Sequence, residues 1–223
     1  MRKVQIKRKE GFVEYKISSN ETLLQALQEI EKSDPSLEYD SGCRSGVCGS
    51  CAVRVDGKEV LACQCKLVEN QTIEPLRYVE VIRDLRVKRA FETLDGVRLS
   101  QRSEAKVCEI DVAKIALQSD CILCGCCYSA CPVLEVNAKF LGPFALTKML
   151  RYADDKKEKD ASGLIAKVQS NGVWDCTLCG ECALVCPQGI NSKMDIMELR
   201  NKSVQSGYSD PNFQAMSFGS FGF

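Results

Sequence analysis

Residues 121–132 read CILCGCCYSACP, and residues 176–187 read CTLCGECALVCP. Both spell C-x2-C-x2-C-x3-C-P, with Cys121, Cys124, Cys127 and Cys131-Pro132 in the first run and Cys176, Cys179, Cys182 and Cys186-Pro187 in the second. Doubled runs of this spacing hold two cubane clusters, and the fourth cysteine of each run ligates the other cluster. The spacing therefore predicts one 4Fe–4S site from Cys121, Cys124, Cys127 and Cys186. It predicts a second from Cys131, Cys176, Cys179 and Cys182. Each site staples segments 45 or more positions apart, so this part of the chain should depend on metal for its fold. Pro132 and Pro187 lack an N–H and fix φ, which helps turn the chain away after the last ligand. Cys126 falls outside the spacing; as a ligand it would need the register to slip by one, so it reads as a free thiol.

Upstream, Cys43, Cys48 and Cys51 form C-x4-C-x2-C, and Cys63 follows. That is the plant-type 2Fe–2S spacing. One loop can wrap such a cluster while the distant fourth ligand comes from a neighbouring element. Gly42, Gly46 and Gly49 suit the loop because glycine permits positive φ and lets backbone N–H groups approach sulfur. Such bonds stabilise the reduced, more negative cluster. A zinc ribbon would favour paired C-x2-C knuckles, and only one pair here has that spacing. Cys65 reads as a packed or exposed thiol and Cys108 as a packed one.

Composition narrows the field further. Fifteen cysteines stand beside no histidine in 223 residues. Without histidine there are no mixed Cys/His zinc sites, no Rieske centre and no histidine acid–base chemistry. Thirty basic and thirty acidic side chains balance, so no overall field favours nucleic acid as a partner. Residues 1–11 are charged and lack the apolar run of a secretory signal. No stretch approaches the roughly eighteen apolar residues of a membrane span. Closely spaced cysteines in such a chain argue for metal ligation over a disulfide framework.

The patterning predicts an α+β chain. Val4 and Ile6, then Phe12, Val13, Tyr15 and Ile17, read as two strands turning at Glu10-Gly11. Asn20 is the candidate cap of a helix from Glu21, with Leu23, Leu24, Leu27 and Ile30 on one face and Asp34-Pro35 ending it. Ala52–Val55 and Lys58–Leu61 flank Asp56-Gly57, a two-residue hairpin signal. Thr72–Glu74 reads as a last strand. Together these fit a small β-grasp sheet. Residues 86 to about 115 are charged and weakly patterned, a connector. Residues 116–206 read as helical, including Pro143–Tyr152 and Ser162–Val168 with Ser162 as candidate cap. The division expected is an N-terminal β-grasp 2Fe–2S domain over 1–90, an all-α two-cluster domain over 91–206, and a tail over 207–223. The tail carries Phe213, Phe218, Phe221 and Phe223, which read either as a floppy end or as an aromatic arm docking on a partner.

Over about residues 1–205 the chain resembles the iron–sulfur subunits of succinate dehydrogenases and fumarate reductases. Ser41-Gly42-Cys43-Arg44-Ser45-Gly46-Val47-Cys48-Gly49-Ser50-Cys51 is similar to that family's first-cluster loop. Val81-Ile82-Arg83-Asp84-Leu85, Phe140-Leu141-Gly142-Pro143 and Arg151-Tyr152-Ala153-Asp154 are similar to its other landmarks. The resemblance implies an oxidoreductase subunit with no dicarboxylate site of its own, an FAD-containing flavoprotein partner, and a membrane-side partner toward quinone. It also implies a peripheral place on a membrane complex, on the cytoplasmic face by default or the periplasmic face through co-export. Most members lack cysteine at the Cys179 position and carry a 3Fe–4S last cluster; here a fourth thiol is present, so 4Fe–4S is expected. The tryptophan and histidine of ubiquinone-reactive relatives are replaced by Val133-Leu134-Glu135 and Thr177. These departures resemble the methylmenaquinol:fumarate reductase subgroup with a cysteine-rich, heterodisulfide-reductase-like third subunit. The alternative they leave open is a thiol- or heterodisulfide-linked fumarate reductase.

Overall fold

The computed structural model describes residues 2–18, 21–89, 91, 94–95, 97 and 102–211. Its first half is a five-stranded sheet of order β2-β1-β5-β3-β4. β1 (Arg2–Arg8) and β2 (Gly11–Ile17) pair antiparallel from Arg2↔Ile17 to Arg8↔Gly11, turning at Lys9-Glu10. β1 also pairs parallel with β5 (Gln71–Glu74), as Val4↔Gln71 through Ile6↔Ile73. β3 (Ala52–Val55) and β4 (Lys58–Leu61) form the hairpin the sequence predicts. Asp56 and Gly57 at its tip both take positive φ, 49° and 82°, as a turn matched to strand twist requires.

α1 (Leu23–Ser33) buries Leu23, Leu24, Leu27 and Ile30 in a core shared with Val4, Ile6, Ile17, Val53 and Ile73. Each such side chain contributes about 1.5–3 kcal/mol on burial. The cap is Thr22, not Asn20, which lies outside the described residues. The Thr22 N–H donates to Gln25 Oε1 at 3.0 Å while its Oγ1 accepts from Gln25 N, a reciprocal capping box.

The expected connector, together with the residues just before it, holds structure of its own. β6 (Val81–Arg83) and β7 (Arg86–Val87) form a two-stranded hairpin. Asp84 in its turn is buried, and Arg8 donates through Nε to Asp84 Oδ1 at 2.8 Å. The same guanidinium donates to Asp34 and Ser36 at 2.8 Å and to the Tyr15 hydroxyl. Removing one partner of a buried ion pair leaves the other desolvated and unpaired, so Arg8→Ala should cost about 3–5 kcal/mol, read as a lower urea midpoint. Hydrogen bonds from Ser36, Tyr15 and Arg8 hold the Asp34 carboxyl well below its ordinary range. Its folded value being depressed, the stabilisation is complete above an unfolded pKa near about 4 and declines as pH falls through the folded value. A urea midpoint that stayed flat on acidification below that point would contradict this.

α2 (Glu109–Ser119) begins in the expected connector and runs into the stretch expected to be helical; none of its residues is buried. Beyond it come α3 (Cys126–Ser129), α4 (Val133–Val136), α5 (Pro143–Ala153), α6 (Ala161–Lys167), α7 (Glu181–Leu184) and α8 (Ser192–Gln205). The cap of α6 is Asp160, which accepts from Gly163 N at 2.8 Å, so Ser162 sits inside the helix. α5, α6 and α8 enclose a second core of Phe144, Leu146, Met149, Leu150, Leu164, Ile165, Ile196 and Leu199. Phe91 joins it, with its ring centroid 4.7 Å from that of Phe144. The phenylalanines of the tail lie outside the described residues.

The two halves share a buried polar joint. Ser129 Oγ on α3 accepts from the Arg77 backbone N–H and donates to Glu59 on β4, both at 2.8 Å. Glu59, 5% exposed, also pairs with Arg54 at 3.1 Å.

Candidate metal centres

The sheet presents the first set of thiols around one loop. Cys43 and Cys48 lie on the exposed outer turn, Cys51 is buried at the start of β3, and Cys63 follows β4. The Ala62 N–H donates to the Cys51 carbonyl at 2.9 Å, closing the hairpin end onto the loop. Backbone N–H groups of Ser45 and Val47 donate to Cys43 Sγ at 3.4 Å. With the Ser45 N–H as the largest cause, they draw the Cys43 thiol down to about 6. Burial pushes Cys51 up to about 11, with the Cys63 thiol adding to it. The loop thus aims amide donors at sulfur, the arrangement that suits an anionic iron–sulfur centre. Gly46 and Gly49 take positive φ as expected; Gly42 does not, and Arg44 (φ 60°) does. At Gly42 the constraint is space, since a Cβ there would lie 3.1 Å from Cys48 Sγ.

The two cysteine runs fold as copies. Leu123 and Leu178 both take positive φ, 53° and 57°. Gly125 and Gly180, at φ 83° and 91°, then cap the one-turn helices α3 and α7. Cys121, Cys124, Cys127 and Cys186 line one pocket, with Phe144, Thr147 and Ile190 behind them. Burial, and then the nearby Cys124, Cys121, Cys182 and Cys186 thiols, push Cys127 well up. At the other site burial raises Cys182 to about 12, with Cys176, Cys131 and Cys179 adding to it. Burial likewise raises Cys131, with Cys176 and Cys179 as its thiol neighbours. Among the described residues no three Cys, His, Asp or Glu side chains close on a single-ion site. The first of these sets rings a pocket, and one walled by four sulfurs and mostly apolar side chains fits a cubane cluster.

The remaining cysteines separate clearly. Cys126 is fully buried in the core of the sheet half and does not line the pocket. Its contact with Cys124 draws the Cys124 thiol down to about 7, helped by the Arg89 charge. Cys65 is half-buried, and burial raises its thiol. Cys108 is exposed rather than packed; it precedes α2 and its thiol donates to Asp111 Oδ2 at 3.1 Å. No spacing marks two arginines beside the thiols. Arg200 donates to the Cys176 carbonyl at 2.6 Å and Arg89 to the Cys124 carbonyl at 2.9 Å.

Residues 1–92 match a 2Fe-2S iron-sulfur cluster binding domain, and residues 118–190 match a 4Fe-4S dicluster domain. The chain is 32% identical over 203 residues to the fumarate reductase iron-sulfur subunit of Escherichia coli O6:H1, covering 84% of this chain and 83% of that protein. It belongs to the family of fumarate reductase and succinate dehydrogenase iron–sulfur subunits. Two further relatives widen the comparison. The 8-methylmenaquinol:fumarate reductase iron-sulfur subunit of Wolinella succinogenes is 34% identical, over 83% of this chain and 65% of its own length. A subunit of the fumarate reductase (CoM/CoB) of Methanothermobacter marburgensis is 36% identical, over 86% of this chain and 41% of its own length. The chain spans about half the length of several curated relatives that it matches. A chain of the Mycobacterium smegmatis Sdh1 complex in the apo form superposes with a TM-score of 0.83 at 20% identity, over 94% of this chain and 98% of that one. That likeness bears on the fold, a ferredoxin sheet followed by a helical dicluster half.

Proposed function

We propose that this chain relays single electrons between an FAD-containing flavoprotein and a quinone-side membrane subunit of a fumarate reductase or succinate dehydrogenase complex. Cys43, Cys48, Cys51 and Cys63 would hold a 2Fe–2S cluster. Cys121, Cys124, Cys127 and Cys186 would hold a 4Fe–4S cluster, and Cys131, Cys176, Cys179 and Cys182 a second. Such clusters carry one electron each, which lets a two-electron flavin step be divided. The observation that carries the reading is the order of the thiol sets. The exposed first loop abuts the first pocket through Gly49 and Cys124, and that pocket shares its cysteine runs with the second set.

The chain's own residues bind and insulate. Thiols grip, amides of the first loop aim at sulfur, and Phe144, Ile122 and Ile190 wall the inner pocket with apolar surface. No described helix is long and apolar enough to cross a membrane. The working division is a 2Fe–2S domain over 1–90, a dicluster domain over 91–206 and a tail over 207–223.

A thiol-linked variant of this function has specific support. Cys179 and the Val133-Leu134-Glu135 and Thr177 positions depart from the ubiquinone pattern, and the Methanothermobacter relative is named for CoM/CoB. Both variants fit a cysteine-rich, heterodisulfide-reductase-like partner. Fumarate reduction by the purified complex, driven by a quinol or by a thiol pair, separates them. Oxygen-free protein should hold about ten irons per chain; a colourless, zinc-replete protein would overturn both.

A further inference from the structure

Arg89 follows β7 and places its guanidinium between the two cluster loops. Nη1 donates to the Gly49 carbonyl at 3.1 Å and to the Cys124 carbonyl at 2.9 Å. Nη2 donates to the Ser50 carbonyl and, at 3.5 Å, to that of Ala52. Thus one side chain grips the loop before Cys51 and the backbone of Cys124. Nothing separates the two backbones there: a Cβ on Gly49 would fall 2.8 Å from both Cα and Cβ of Cys124. Gly49 also sits at φ 73°, where L side chains are strained. Gln188 adds a second tie, donating to the Gly46 carbonyl at 3.1 Å.

The charge of Arg89 is as telling as its geometry. Among the described residues no carboxylate pairs with it, and its buried Nε has no hydrogen-bond partner. Carbonyl dipoles alone do not neutralise a guanidinium. A half-buried cation with no described counter-charge is costly, and its retention here is accounted for if it faces anionic neighbours on either side. An oxidised cluster with its thiolates carries about −2, and reduction adds one more negative charge. A fixed cation close by in a partly dry place favours that reduced form.

We propose that Arg89 is a positioning residue that clips the two-iron loop to the first four-iron loop and, through its charge, holds up the reduction potentials of both clusters. The inference rests on the cluster assignments proposed above. Its test is redox titration of the purified holo complex, followed by EPR, for the wild type, Arg89→Gln and Arg89→Lys. Arg89→Gln should lower the midpoint potentials of the two-iron and first four-iron clusters and leave that of the third unchanged. Arg89→Lys keeps the charge but cannot span four carbonyls, so it should hold near wild-type potentials with weaker spin coupling between the two reduced clusters. Arg89→Gln with full iron content and unshifted potentials would overturn the electrostatic part, as would an equal shift of all three. If Arg89→Gln fails to load iron, Arg89→Lys decides: lowered potentials overturn the charge, and wild-type spin coupling overturns the clip. Wild-type protein without three clusters would instead overturn the assignments themselves.

Discussion

Replacing Cys186 with alanine is expected to empty the first four-iron site while leaving the two-iron site and the α5–α8 core intact. The expectation follows from what holds each part in place. α3 and α7 span four residues each, far below the length at which a helix persists alone. Their positions depend on what their thiols grip. Cys186 shares the pocket with Cys121, Cys124 and Cys127, so its loss would remove the proposed ligand that ties one cysteine run to the other. By contrast, Phe144, Leu146, Met149, Leu150, Ile196 and Leu199 are buried together in the core of the helical half. At about 1.5–3 kcal/mol apiece, and with the second site still loaded, they keep that core when the first pocket fails. The sheet has its own core, built on Val4, Ile6, Leu27 and Ile73. Iron should fall from about ten per chain to about six or fewer, and limited proteolysis should cut within residues 121–131 or 181–190. Retention of about ten irons would show that Cys186 is not a ligand. Loss of all iron, together with the cooperative unfolding transition, would show that the metal holds both cores and not only the loops.

Local chemistry explains what could be read from sequence. The Asp56-Gly57 hairpin was legible because both turn residues take the positive φ that the pair favours. The repeated cysteine spacing was legible as two copies of one unit, and the repeat extends to Leu123 and Leu178 in the same rare conformation. Errors arose where two local signals competed or where distant residues decide. Asn20 and Thr22 can both cap a helix, and Gln25, three positions after Thr22, is the sign of the capping box that separates them. The β6–β7 hairpin has strands of only three and two residues, and its Asp84 turn is held by Arg8, 76 positions away. No short-range pattern announces such a turn. Arg89 was invisible for the same reason, because its partners at Gly49, Ser50 and Cys124 come together only in the folded chain.

Replacing Cys179 with valine should convert the second cubane site into a three-iron centre without unfolding the helical half. Cys179 occupies in the second run the place that Cys124 holds in the first, each following a positive-φ leucine and preceding a glycine that caps a one-turn helix. Cys124 lines the first pocket, and the neighbours of Cys179 agree with an equivalent position. The Cys131, Cys176 and Cys182 thiols are each raised chiefly by burial, with Cys179 among the neighbouring thiols that add to the rise. Cys179 differs from those three in being exposed. A corner at the surface can lose its iron to solvent while the three inner thiols keep their grip, so removing one sulfur should cost one iron and not the cluster. Valine cannot ligate iron, and at an exposed position it leaves the packed core untouched. The variant should carry about nine irons per chain, and its oxidised form should show a three-iron EPR signal absent from the oxygen-free parent. An unchanged iron count with no such signal would make Cys179 a spectator, and the same signal in undamaged parent protein would place a three-iron cluster there from the start.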